Sequence, residues 1–257
     1  MARTFYGSSA SLSCTIGGCT GIAGPYTLVS LCKKTTDTAA YMDIWGIRNA
    51  SQYVLSIGVQ NDDRFYLAKG TAYADRSCNI MLTGAEGWCL LAATKGAGTV
   101  TPRFHQYVYG TNTWTHEDGS GTLADNTAPG ASGTVRFGNG MNGFGAFSQA
   151  LNAVFAAALT DTEIERLPYS LPAWYSLSPV GLWLLDQSLT TQGVADLTGL
   201  GANQSAITGT TIATTHPPVF SRGAPVLAVT REAAVVAARF RRTDFPRTGS
   251  RGAYGGS

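Results

Sequence analysis

Short runs of alternating apolar and polar residues, each closed by Gly, Asn or Asp, recur from Tyr26 to Gly110. Side chains two apart on an extended chain share a face, so such runs read as half-buried strands rather than helices. Tyr26 to Lys34 (YTLVSLCKK), residues 41–48 (YMDIWGIR), 53–60 (YVLSIGVQ) and 103–110 (RFHQYVYG) follow the pattern. Asn61-Asp62-Asp63 reads as a turn into RFYLAKG, and WCLLAATK (88–95) as a buried strand that ends at Gly96-Ala97-Gly98. No stretch alternates strands with long helices, which argues against a parallel α/β fold. Short strands at this spacing predict an all-β, two-sheet antiparallel jelly-roll sandwich.

One helix start stands out. In VRFGNGMNGFGAFSQALNAVFAAALTDTEIERL (residues 135–167) a Gly-rich strand and turn lead to an apolar strand and then to Thr160 and Glu163. Thr160 can accept from the backbone N–H of Glu163 while Glu163 reaches back to the N–H of Thr160, a capping box. That predicts one short helix turn. GNGMNGFG reads as a tight turn with close backbone approach, since no P-loop Lys-Ser/Thr follows it. YSLPAWYSLSP comes next, then VGLWLLDQS, apolar enough for a central strand. DLTGLGANQSAITGTT reads as a turn and strand, closed by His216-Pro217-Pro218.

Charge divides the chain. Charged residues are 13% of the 257, about half the usual share, so the surface relies on Ser, Thr, Asn, Gln and Gly. Residues 1–221 carry 11 Lys and Arg against 14 Asp and Glu, net −3; residues 222–257 carry seven Arg against two acids, net +5. We read a body over 1–221 and a basic C-terminal arm over 222–257. Within the arm, TREAAVVAARFRR suits a short helix or an added strand, and TDFPRTGSRGAYGGS follows. Arg231, Arg239, Phe240, Arg241, Arg242, Phe245, Arg247 and Arg251 are its candidate partner-binding residues. Its alternative is a solvated terminus; lysines are absent from it, so nucleic acid is a minor expectation beside a protein partner. No apolar leader opens the chain and no apolar run is long enough to span a bilayer, so no membrane role is expected.

At this point the residues resemble a known family. The order of PYTLVSLCKK, GWCLLAATK, RFHQYVYG, the Gly-rich strand and LTDTEIERL is similar to the LamG-like jelly rolls of the concanavalin A-like lectin/glucanase superfamily. The stretch GLWLLDQ…DLTGLGANQSAITGT resembles copies of this fold in structural proteins of tailed bacteriophages. The resemblance covers about residues 4–220. It implies a jelly roll and a virion protein, made in the host cytoplasm, and leaves activity open because the fold hosts binders, hydrolases and spacers.

Chemistry is sparse. A glycosidase on such a fold needs two facing carboxylates, for which an E-x-D strand motif is the natural signal, and none is present. Glu163 and Glu165 sit in the helix turn, and Asp62-Asp63 reads as turn chemistry. No GxSxG elbow occurs. We expect no catalytic residue and no cofactor. Asp62, Asp63 and Asp118 lack the clustering of a calcium cage, and His105, His116 and His216 are scattered with no CxxC, so no metal is expected. Cys14, Cys19, Cys32, Cys78 and Cys89 are odd in number and read as buried free thiols; a Cys14–Cys19 bridge is the sharper alternative.

The candidate binding site is the loop from Tyr109 to Asp118, with Tyr109, Asn112, Trp114 and Asp118 as glycan contacts. Sugar recognition needs an aromatic face with amide or carboxylate groups beside it. The other reading packs Trp114 under its own loop or into a neighbouring subunit. Trp45, Trp88, Trp174 and Trp183 lie in or beside apolar strands and read as core or interface. The expected function is a non-enzymatic structural protein of a phage particle, in capsid decoration, minor capsid or minor tail, packed against other virion proteins and copies of itself. The alternatives are a glycan-binding adhesion module and, third, a glucanase-like hydrolase.

Overall fold

The computed structural model describes residues 2–6, 10–36, 40–70, 74–141, 143–185, 196–200, 204–208 and 210–212. All belong to one unit, Met1–Val219. The basic arm, with all eight of its candidate residues, lies outside the described residues, as does His216.

Two antiparallel sheets form the sandwich. The first runs β10 (Thr113–Asp118), β9 (Arg103–Val108), β8 (Cys89–Lys95), β3 (Tyr26–Lys34), β14 (Phe147–Phe155), β1 (Arg3–Thr4), β17 (Thr211–Ile212). β15 (Gly181–Leu184) also pairs with β14. The second runs β16 (Gln204–Thr208), β2 (Ser11–Thr15), β11 (Thr134–Phe137), β4 (Met42–Arg48), β5 (Tyr53–Val59), β6 (Arg64–Lys69), β7 (Ala74–Met81). β12 (Asn139–Gly140) and β13 (Gly143–Phe144) form a hairpin. The expected strands are present, and β7 joins them where the sequence signalled none. The GLWLL strand does not sit mid-sheet between two full-length neighbours. It pairs with β14, whose other positions on that edge pair with β1.

The space between the sheets holds the main core. Trp45, Phe137 and Trp183 meet there with ring centroids 5.3 to 6.2 Å apart, and Phe65 meets Phe104 edge-on at 5.2 Å. A second apolar layer covers the opposite face of the first sheet. It joins Leu31, Leu90, Ala92, Tyr107 and Leu151 to Ile164, Leu167 and Trp174. Those last three come from α1 (Asp161–Ile164), a 3-10 turn (Leu167–Tyr169) and α2 (Leu171–Ser176). The expected capping box is there: Glu163 N–H donates to Thr160 Oγ1 at 3.3 Å and Thr160 N–H donates to Glu163 Oε2 at 2.8 Å. α2 adds a second short helix, anchored by Trp174 Nε1–H donating to the Leu167 carbonyl at 2.9 Å.

The Gly-rich turn makes the close approaches that its composition implied. Gly138 has φ of 71°, and a Cβ there would sit 2.2 Å from Phe5 Cδ1. Asp196 of the DLTG stretch is buried, and its carboxylate accepts from the Leu182 and Thr198 N–H groups at 3.0 and 3.1 Å. It thereby ties the turn to β15.

All five cysteines are buried and unbridged, so Cys14 and Cys19 do not pair. Burial pushes every thiol pKa up, Cys19, Cys32 and Cys78 to about 12. Two lysines are fully buried at the side chain and compensated. Lys34 pairs with Asp63, and Lys95 donates to Asp125 and to the carbonyls of Gly96 and Gly98 at 2.6 to 2.8 Å.

Thr160→Ala removes the cap while leaving the apolar face of α1 in place. We predict a loss of about 1 kcal/mol in urea unfolding with an unchanged denaturant slope.

Candidate functional site

The stretch from Tyr109 to Asp118 is a hairpin end rather than a loop. Its turn polar residues and Gly110 suggested a loop, but Thr113–Asp118 pairs residue for residue with β9. Asn112 takes the left-handed conformation, φ 54°, that the turn requires and that Asn tolerates. Val108 then faces Thr113, Tyr107 faces Trp114, His105 faces His116 and Arg103 faces Asp118. Phe104 points into the core between the sheets, so its alternating neighbours Arg103, His105 and Tyr107 lie on the outer face.

Aromatic rings fill one end of that face. Trp114 is half-buried and stacks on His116 at 5.2 Å with an 11° interplanar angle; the Tyr107 ring lies 5.0 Å from it, tilted by 43°. Tyr107 also meets Tyr109 edge-on at 4.9 Å and Tyr169 at 5.8 Å. Tyr169 is 49% exposed. Three of the four sugar-contact candidates thus converge here, each with an internal contact. Tyr107 O–H donates to Asn112 Oδ1 at 2.9 Å, which leaves the exposed Asn112 amide NH₂ outward. Tyr109 O–H donates to the Pro168 carbonyl at 3.4 Å. Trp114 touches Tyr107 and His116 of its own hairpin.

Asp118 stands at the other end, four residues along β10. Its carboxylate pairs with Arg103 at 2.9 Å. Arg103 also forks onto Asp161 of α1, with Nε at 2.8 Å from Oδ1 and a terminal nitrogen at 2.6 Å from Oδ2. That bidentate contact holds the Asp161 carboxyl below its ordinary pKa. The capped turn therefore docks on the edge strands through a charged clamp as well as through Ile164.

Between the two ends sit the histidines that looked scattered. His105 is fully buried, and its Nδ1 lies 2.8 Å from His116 Nδ1 and 3.8 Å from Asp161 Oδ1. His116 Nε2 lies 3.1 Å from Glu165 Oε1. Burial, and secondly the His116 imidazole, pushes the His105 pKa down to about 4, so it is neutral at pH 7. Sequence reading missed this pair because it took residues 109–118 as loop. The available signal was the turn: once residues 109–112 close the hairpin, position 105 must face position 116.

No facing, unengaged acid pair is found among the described residues. Asp62 pairs with Arg64, Asp63 with Lys34, Asp125 with Lys95, and Asp118 and Asp161 share Arg103. Glu163 caps its helix, Glu86 accepts from Thr83 and Gly84, and Glu117 accepts from the Asn79 N–H.

No protein-family model matches the chain, and no curated protein sequence matches it. Among solved structures it is similar to the native heptameric SAP-like pentraxin of Limulus polyphemus, at 16% identity over 65% of this chain and 80% of that one, TM-score 0.44. It is similar to the carbohydrate-binding module CBM40 of the Ruminococcus gnavus IT-sialidase, solved with α2,6 sialyllactose, at 13% identity over 65% of this chain and 97% of that one, TM-score 0.42. It is also similar to part of tailspike protein 2 of the Escherichia coli O157:H7 bacteriophage CAB120, at 14% identity over 66% of this chain and 25% of that one, TM-score 0.44.

Arg103→Met breaks both arms of the clamp. We predict a loss of about 0.5–1 kcal/mol at low ionic strength, because the arginine is partly solvated. At about 1 M salt, where charges are screened within about 3 Å, the difference from the parent should shrink.

Proposed function

We propose that the protein is a non-catalytic carbohydrate-binding β-sandwich, and that the β9–β10 edge is where the sugar docks. One observation carries this reading: a half-buried Trp114, stacked on His116 and touched by Tyr107 at a 43° tilt, in a cluster with the exposed Tyr169 and the exposed Asn112. A ring held by two aromatic neighbours offers an apolar surface at little entropic cost, and the Asn112 amide offers a partner for hydroxyls. The engagement of the described carboxylates supports a binder over a hydrolase. A general acid needs a raised pKa, and Asp161 is held low by Arg103.

A glycan array with the full chain tests this. Binding to at least one glycan class is expected, with Trp114→Ala weakening it about tenfold or more. An array with no hits, or a Trp114→Ala variant that binds as the parent does, rejects the reading.

A second reading, a structural protein of a phage particle, is supported by the low charge of the body and by the seven arginines of residues 222–257. In it the arm fastens the sandwich to neighbouring virion proteins. A chain cut after residue 221 should fold as the parent does and fail to enter particles; normal incorporation excludes the arm as anchor.

A further inference from the structure

The β9–β10 edge carries a second constellation, which shares only His116 with the sugar platform. His105 and His116 meet Nδ1 to Nδ1 at 2.8 Å across the hairpin, and Asp161 is brought over them by α1. The ligand atoms of all three lie within 4.8 Å of one another. We infer that His105 Nδ1, His116 Nδ1 and Asp161 Oδ1 form a three-ligand site for a divalent transition ion of the zinc class. The inference is independent of the glycan reading.

Two imidazole nitrogens at this distance must share something positive, since bare lone pairs repel. One hydrogen serves when no ion is bound. An ion can take its place, because ligating histidines are deprotonated at the bound nitrogen. Metal–nitrogen bonds of about 2.0–2.1 Å span the 2.8 Å gap at roughly a right angle, and a separation about 0.5 Å larger reaches the tetrahedral angle. The 3.8 Å from His105 Nδ1 to Asp161 Oδ1 also falls within two such bonds, which reach about 4.1 Å end to end.

The surroundings suit a cation. His116 Nε2 faces the Glu165 carboxylate at 3.1 Å, which selects the tautomer with Nδ1 free to ligate. Arg103 orients Asp161 from behind, using one lone pair of Oδ1 and leaving the other. Asp118, Asp161 and Glu165 set three negative charges against the one of Arg103. Two nitrogen donors favour a zinc-class ion over calcium or magnesium, which prefer all-oxygen shells. His105 Nε2 is the one defect: it is buried and has no hydrogen-bond partner. In the ion-bound form its N–H stays unmet, so the affinity should fall below that of a closed structural zinc site. Three protein ligands leave a fourth position for water.

The test is titration of the chelator-treated full chain with Co²⁺ and Zn²⁺, followed by calorimetry and by the visible absorption of Co²⁺. We expect saturable uptake of one ion per chain, a rise in Tm with Zn²⁺, and at least tenfold weaker uptake by His116→Ala and by Asp161→Asn. His116 and Asp161 are only partly buried, so these variants should fold; if one does not, the other gives the answer. His216→Ala should bind the ion as the parent does. Absence of saturable uptake overturns the site. So does uptake that persists in both ligand variants, or that His216→Ala removes.

Discussion

The first sheet is buried on both faces, and that constraint organises the rest of the molecule. One face packs against the second sheet, the other against Ile164, Leu167 and Trp174 of the helical cap. β8 and β14 are buried along their whole lengths as a result. A sheet clothed in this way has little room for polar chemistry in its middle. The clustered imidazole, carboxylate and guanidinium groups lie instead at the edge, where β10 has a neighbour on one side only. The stacked Trp114, the histidine pair and the arginine clamp all lie there for this reason.

The cap also fixes the site's geometry. α1 is a single turn, too short to stand by itself. Its box at Thr160, the apolar anchor Ile164 and the Arg103–Asp161 fork determine where Asp161 and Glu165 sit above the hairpin. Local capping, core packing and surface charge therefore act on the same few residues. A change in any of them moves the carboxylates relative to the imidazoles.

Much of this architecture could be read in the residues. Period-2 alternation located β3, β4, β5 and β9, the Asn61–Asp63 turn pointed to β6, and the box located α1, because these signals are local and have mechanisms. β7 escaped because Ala-Asp-Arg-Ser-Cys-Asn-Ile-Met is an edge strand whose polar residues need no strict alternation. α2 escaped because Pro172 and two aromatics in six residues give weak helix signals; tertiary burial of Trp174 holds it in place. At the site, residue type was legible and pairing was not. Trp114 and Asn112 stood out as sugar-type groups, yet reading 109–118 as loop hid the register that sets His105 against His116. Register is a relation between two segments, and no single run of residues displays it.

The five unbridged thiols have a consequence of their own. Each is shut away from water and held in its protonated form by burial, so oxidants, alkylating agents and exchange partners find no thiolate to attack while the sandwich stays closed. The fold contains no disulfide crosslink among its described residues. Its integrity should be indifferent to whether its surroundings are reducing or oxidising. The same sulfurs become reactive the moment the sheets part, which makes them an intrinsic record of every opening the sandwich undergoes.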